Sequence, residues 1–133
     1  MTVIDASALV AYVLREERWE SIESVLHESP IAVELLPVEA ANATLMARRA
    51  RRLNLTEAHD AVRRIHRLCE VGVRLFSPAP LLPAAWEIAE RQALTVYDAS
   101  YLALARRERT PLVSRDSAQI RGARELGVRV IET

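Results

Sequence analysis

The chain contains no lysine: all eighteen of its basic residues are arginine. That absence removes every mechanism built on a lysine amine, including the phosphate-gripping P-loop, Schiff-base chemistry and lysine-assisted phosphoaspartate sites. Compositional bias explains the absence more simply than function does. Cys69 is the only cysteine, so no intramolecular disulfide can form and a reducing compartment is expected. The three glycines, Gly72, Gly122 and Gly127, build no phosphate-binding loop. Histidine and cysteine clusters are missing, which argues against zinc. No Ser/His/Asp arrangement with a nucleophile elbow is visible. No apolar run approaches the roughly 18 residues of a membrane span. Met1-Thr2-Val3-Ile4-Asp5 lacks the basic start of a signal peptide. The expectation is a soluble, cytoplasmic protein without a membrane partner, one domain over residues 1–133.

Half of the residues are hydrophobic, enough for a core that needs no covalent staple. Eighteen acidic residues balance the arginines, so no global field draws the protein onto nucleic acid. The acids divide unevenly, fourteen Glu against four Asp. Each Asp is therefore worth locating: Asp5, Asp60, Asp98 and Asp116.

Short apolar runs alternate with helical patterns. Thr2-Val3-Ile4 reads as a first strand, Ile31 to Leu35 as a second and Val73 to Phe76 as a third. Pro111 to Ser114 reads as a fourth and Val128 to Ile131 as a fifth. Ser7 can cap a helix whose apolar positions are Leu9, Val10, Val13 and Leu14. Further helices are predicted over 18–28, from Pro37 to about 53, over 56–70, 82–93 and 97–109, and from Asp116 to Leu126, ending at Gly127. Apolar strands alternating with helices predict an α/β fold: a three-layer α/β/α sandwich around a parallel sheet of about five strands.

Four acids fall at equivalent places in this pattern. Asp5 ends the first strand, Glu39 lies in the first turn of the helix after the second, Asp98 in the first turn of the helix before the fourth, and Asp116 directly after the fourth. In an open parallel sheet these positions face one edge, where ligands bind. Each acid taken singly is explained as well by helix capping, because a carboxylate satisfies free N–H groups and favours the helix dipole. Capping does not require four short acids at the same edge. Asp60, within a helix and away from any strand end, serves as the control. Four like charges repel unless a cation or raised pKa values relieve them, and an all-oxygen set suits Mg²⁺, with Mn²⁺ as substitute.

These residues resemble those of the PIN-domain nucleases. Val3-Ile4-Asp5-Ala6-Ser7-Ala8-Leu9-Val10 is similar to the family's opening motif and Val38-Glu39-Ala40-Ala41-Asn42 to its second. The third is matched by Thr95-Val96-Tyr97-Asp98-Ala99-Ser100-Tyr101-Leu102-Ala103-Leu104-Ala105. Leu112-Val113-Ser114-Arg115-Asp116 resembles the fourth, with Ser114 where Thr is commoner. Chain length points to the VapC-type toxins within that family. The resemblance implies a metal-dependent ribonuclease that dimerises and is silenced by a small VapB-like antitoxin. Asp5, Glu39, Asp98 and Asp116 would be the catalytic, metal-binding acids. Ser7 and Ser114 would be polar supports near them, and Asn42, one turn after Glu39, would orient it. Some members carry a further acid after the fourth motif. Ser117, Ala118 and Gln119 stand there in this chain, which implies looser metal holding at Asp116.

RNA contacts would have to come from arginine. Arg115, beside Asp116, is the best single candidate for a substrate phosphate; the Arg48-Arg49-Ala50-Arg51-Arg52 run reads more simply as a solvated helix face. Tyr12, Trp19, Trp86 and Tyr97 read as core or interface side chains. The apolar residues of the first two helices could form a dimer or antitoxin groove. Two other functions compete with the toxin: a PIN-like RNA-binding or assembly module with little cleavage, and a PIN nuclease outside any toxin–antitoxin pair.

Overall fold

The computed structural model describes all of residues 1–133. Its strands are short and apolar on both faces, the signature of a parallel sheet covered on both sides. They are β1 (Val3–Ile4), β2 (Ile31–Val33), β3 (Arg74–Phe76) and β4 (Leu112–Val113). All pairings are parallel, in the order β3-β2-β1-β4, with Val3 opposite both Ile31 and Leu112. The expected fifth strand is not one. Residues 128–131 reach the sheet through a single bridge, Leu112 to Val130, with the Leu112 amide on the Arg129 carbonyl and the Ile131 amide on the Leu112 carbonyl. β4 is only two residues long, so its free edge offers one residue to pair with.

Seven helices connect and cover the strands: α1 (Ala6–Val13), α2 (Glu20–His27), α3 (Leu36–Arg49), α4 (Leu55–Val71), α5 (Leu82–Gln92), α6 (Val96–Glu108) and α7 (Ser117–Glu125). A 3-10 turn at Ala79–Leu81 occupies what reads in sequence as a simple turn. Helices α1 to α4 pack with one another, and α6 lies across β1 and β2 between α5 and α7. Sandwiched this way, α6 is buried continuously from Ala99 to Ala105, as a helix apolar all round must be. Of the α1 and α2 apolar residues, Leu9, Val10, Val13, Ile22 and Val25 are buried in the core, while Leu14 and Leu26 are only partly buried. Most of the exposed large apolar side chains lie on α3, α4 and α5, among them Val38, Leu45, Met46, Val62, Leu82 and Trp86.

Local chemistry sets the helix starts. Asn54 accepts from the Glu57 amide while Glu57 reaches back to the Asn54 amide, a closed capping box on α4. Thr95 caps α6, and Asp116 caps α7. The cap of α1 is Asp5, not Ser7, which lies inside the helix. At Gly122 a Cβ would stand 3.0 Å from Leu94 and 3.1 Å from Leu102, so a glycine lets α7 approach α6 closely. Glycine is otherwise used sparingly. Arg15, Arg18, Ser29, Arg51, Ala93 and Arg109 all take positive φ without it, and Gly127 is the only glycine that does.

Candidate active site

Asp5 follows β1 directly, and its amide bonds to the Val113 carbonyl of β4. Its Oδ1 accepts from the Ala8 amide at 3.0 Å and the Ser7 hydroxyl at 2.7 Å, and its Oδ2 accepts from the Ser114 hydroxyl. The two hydroxyl oxygens lie 3.3 Å apart. Each carries one proton, and both protons are directed to Asp5. The same oxygens accept the backbone amides of Arg115 (2.8 Å) and Asp116 (3.0 Å). The turn leaving β4 thus holds the two serines, and the serines hold Asp5. The residue is only 4 % exposed. Burial raises its pKa to about 6, against the lowering effect of its donors and with a further push from the charge of Asp116.

Glu39 sits in the first turn of α3, half-buried, and its Oε1 accepts from the Tyr101 hydroxyl at 2.8 Å. Burial raises its pKa, the Tyr101 bond lowers it, and the charge of Asp98 raises it again. Asp98 lies three residues after the Thr95 cap, its amide on Thr95 Oγ1 at 3.1 Å. Burial and the charge of Asp116 raise its pKa, against the lowering effect of the Thr95 hydroxyl. Asp116 is exposed, with Oδ1 accepting the Gln119 amide at 2.8 Å. The four acids therefore share one edge of the sheet and one electrostatic field. None forms an ion pair; the arginine–carboxylate bridges, Arg63–Asp60 among them, all lie elsewhere. Nor do any three of these acids close into a ready-made cation cage.

The structure also places the supporting residues. Ser7 and Ser114 both touch Asp5. Asn42 is exposed and makes no hydrogen bond to Glu39; the group that does is Tyr101, a residue buried to 1 % exposure. Sequence reasoning overlooked Tyr101, although its spacing from Asp98, three residues along one helix, was a usable signal. The Arg115 guanidinium turns away from the acids: Nη1 donates to the Glu17 carbonyl in the α1–α2 turn, while Nε and Nη2 are buried without a partner. Gln119, fully buried below the Asp116 cap, leaves both atoms of its side-chain amide unpartnered. Trp86 and Tyr97 are 61 % and 62 % exposed, so neither belongs to the core, and Tyr97 stands beside Asp98. Tyr12 and Trp19 pack together under the Arg15 guanidinium.

The model of the PIN domain matches residues 2–125. This chain belongs to the PIN-domain family. Ribonuclease VapC3 of Pyrobaculum aerophilum is 31 % identical over 105 residues, covering 77 % of this chain and 79 % of that protein. That likeness makes the chain a VapC-type PIN protein. Two crystal structures share the fold. PAE2754 from Pyrobaculum aerophilum superposes with a TM-score of 0.71 at 23 % identity, over 97 % of this chain and 89 % of that one. FitAcB from Neisseria gonorrhoeae does so with a TM-score of 0.60 at 16 % identity, over 99 % and 97 %. In this PIN domain the matched segment includes all four edge acids. No helix is long and apolar enough to cross a membrane.

Proposed function

We propose that this PIN protein is a divalent-metal-dependent endoribonuclease, the cytoplasmic toxin of a type II toxin–antitoxin pair. The observation that carries the reading is the set of four carboxylates at one sheet edge, Asp5, Glu39, Asp98 and Asp116, with no basic side chain paired to any of them. Uncompensated like charge and an all-oxygen donor set fit Mg²⁺ or Mn²⁺. Mg²⁺ keeps most of its waters and needs only one or two protein carboxylates, so an open edge suits it better than a closed cage. When bound, such an ion supplies an activated water and stabilises the departing oxygen of a phosphodiester.

The chain's own residues divide the remaining work. Asp5 is held rigidly by three donors at the floor of the edge. Tyr101 orients Glu39 from below. Asp98, half-buried with its pKa raised, can accept a hydrogen bond or a proton at its carboxylate. Arg115 is the phosphate contact: two of its nitrogens lack an acceptor, and releasing Nη1 from the Glu17 carbonyl would let the guanidinium swing to a phosphate oxygen. A VapB-like antitoxin and a second copy of the chain are the expected partners, and the exposed apolar residues of α3, α4 and α5 support such contacts.

The test is cleavage of single-stranded RNA and of structured tRNA and rRNA fragments in Mn²⁺, Mg²⁺ and EDTA, beside Asp98→Asn. Metal-dependent cutting that the variant lacks is the expected result. Folded protein that binds RNA but cuts none of it in any metal would favour the binding module.

A further inference from the structure

The largest concavity of the molecule is not at the acidic edge. It is a groove of about 400 Å³ at the opposite end of β4, where α6 and α7 finish. Three arginines line it, Arg106, Arg109 and Arg129, over an apolar floor that includes Pro111, Leu126 and Val128. All three guanidiniums are exposed, and none makes a hydrogen bond or an ion pair. Two nearby acids are taken, Glu108 by Arg107 and Glu132 by Arg124, and Glu125 at the end of α7 is unpaired but does not line the groove. No Asp or Glu lines the groove.

Basic side chains at helix C-termini have a simpler use, offsetting the partial negative charge of the last carbonyls. Two helix ends contribute about half a unit of negative charge each. Three full positive charges exceed that, so the groove keeps a net positive potential. Planar guanidinium forks match phosphate oxygens in pairs, and the apolar floor offers a surface for a ribose or base.

We propose that this groove is a second RNA contact, which holds phosphates of the strand away from the acidic edge. It lies about 10 Å or more from that edge, because three residues of extended chain at roughly 3.3 Å each separate Pro111 from Ser114. Only a strand long enough to span that distance reaches both. The choice of RNA rests on the ribonuclease reading; the positive groove does not.

The experiment measures RNA binding by fluorescence anisotropy in EDTA, with every protein carrying Asp98→Asn, so that neither cleavage nor metal enters. Arg106→Ala, Arg109→Asn and Arg129→Ala are combined, Asn being chosen because it tolerates the left-handed backbone of residue 109. A control triple removes three exposed arginines outside the groove, Arg49→Ala, Arg52→Ala and Arg67→Ala. For a strand of roughly 20 nucleotides, longer than one ~4–16-nucleotide site, the groove triple should bind at least about tenfold more weakly. Its log–log salt slope should fall by about 2, at roughly 0.7 per lost phosphate contact. The control triple should change the same affinity less than about threefold. Thermal melts check that each variant is folded.

Equal weakening in both triples, or none in either, would overturn the proposal. Arginine-dependent binding of inorganic pyrophosphate with long-RNA binding unchanged would reassign the groove to a free phosphate. Tighter, arginine-dependent binding of an Asp/Glu-rich peptide than of RNA would reassign it to a protein. Wild-type cleavage is scored separately: its absence leaves a groove-specific binding effect standing, and its presence does not rescue a groove without one.

Discussion

Helix α4 begins with Asn54 capping the Glu57 amide, and α6 begins with Thr95 capping the Asp98 amide; in both, an acid stands three residues after the cap. Glu57 bends back to the Asn54 amide at 3.0 Å and closes the box, in full view of solvent. Asp98 does not bend back to the Thr95 amide; it stands half-buried in the field of Asp116, with the Thr95 hydroxyl alone lowering its pKa, and its charge raises the pKa of Glu39. The same helix position thus closes a capping box in one place and leaves a carboxylate among other acids in the other. Asp60 completes the contrast, since Arg63 neutralises it on the surface of α4.

The largest expected effect separates the two helix starts outright. Asp98→Asn should lower RNA cleavage at least about 100-fold with an unchanged melting temperature, since removing a group that acts on the transition state lowers the rate without touching the fold. Asn54→Ala should do the reverse, losing about 1 kcal/mol of stability with cleavage intact. A melt that collapses in Asp98→Asn would make that acid a cap after all.

Asp5 joins the two roles, because it caps α1 and also faces the edge. Its folded pKa of about 6 lies above the ordinary 3.8, so the folded state binds its proton more tightly than the unfolded state. Stability from this group is therefore fully present below about pH 4 and is lost as pH rises towards 6. The loss is on the order of 3 kcal/mol, at 1.36 kcal/mol per pKa unit. Asp5→Asn keeps a capping oxygen and sheds the buried charge. Metal-free Asp5→Asn should be about 1–3 kcal/mol more stable than wild type at pH 8 and should lose the slope between pH 4 and 6. Urea titrations across that range check it; an unchanged slope would show that Asp5 carries no raised pKa.

Much of this contrast was legible in the sequence. Apolar runs ending in Asp5 and Asp116, and acids in the first turns of α3 and α6, needed only the α/β pattern and the rule that one sheet edge collects such positions. What was not legible depended on tertiary geometry. The fifth strand failed because β4 is two residues long, and no property of Val128 to Ile131 reveals that. Ser7 and Asp5 are both good caps by residue type, and only the Arg115 amide after β4, which the Ser7 oxygen accepts, decides that the Ser7 hydroxyl serves Asp5. Arg115 reads as a group facing the acids until the α1–α2 turn brings the Glu17 carbonyl to it. Tyr101 hides in a buried helix, where an aromatic residue normally means core.

Tyr101 sharpens the comparison further, because it is a buried donor held on Glu39 from another helix. Its hydrogen bond opposes the rise of the Glu39 pKa, so Tyr101→Phe should raise that pKa further. The acid limb of the cleavage-versus-pH profile should move to higher pH, with stability changed by about 1 kcal/mol or less. An unmoved profile would make the bond purely structural. The smallest effect concerns Gln119, whose buried amide is unpartnered. Gln119→Leu should gain about 1 kcal/mol in a denaturant titration, since an apolar side chain of similar volume removes an unsatisfied polar group. A loss instead would show that the amide has a partner in solution.

The most direct measurement is the thermal stability of wild type and Asp98→Asn as Mn²⁺ is added at constant ionic strength. A cation that binds only the folded protein stabilises it by about 2.7 kcal/mol at 100 times its dissociation constant. Wild type should rise along that curve, and Asp98→Asn should rise far less, although both start from a similar melting temperature without metal. Equal curves for the two proteins, or no rise in wild type at any concentration, would contradict the claim that these uncompensated carboxylates form a cation site.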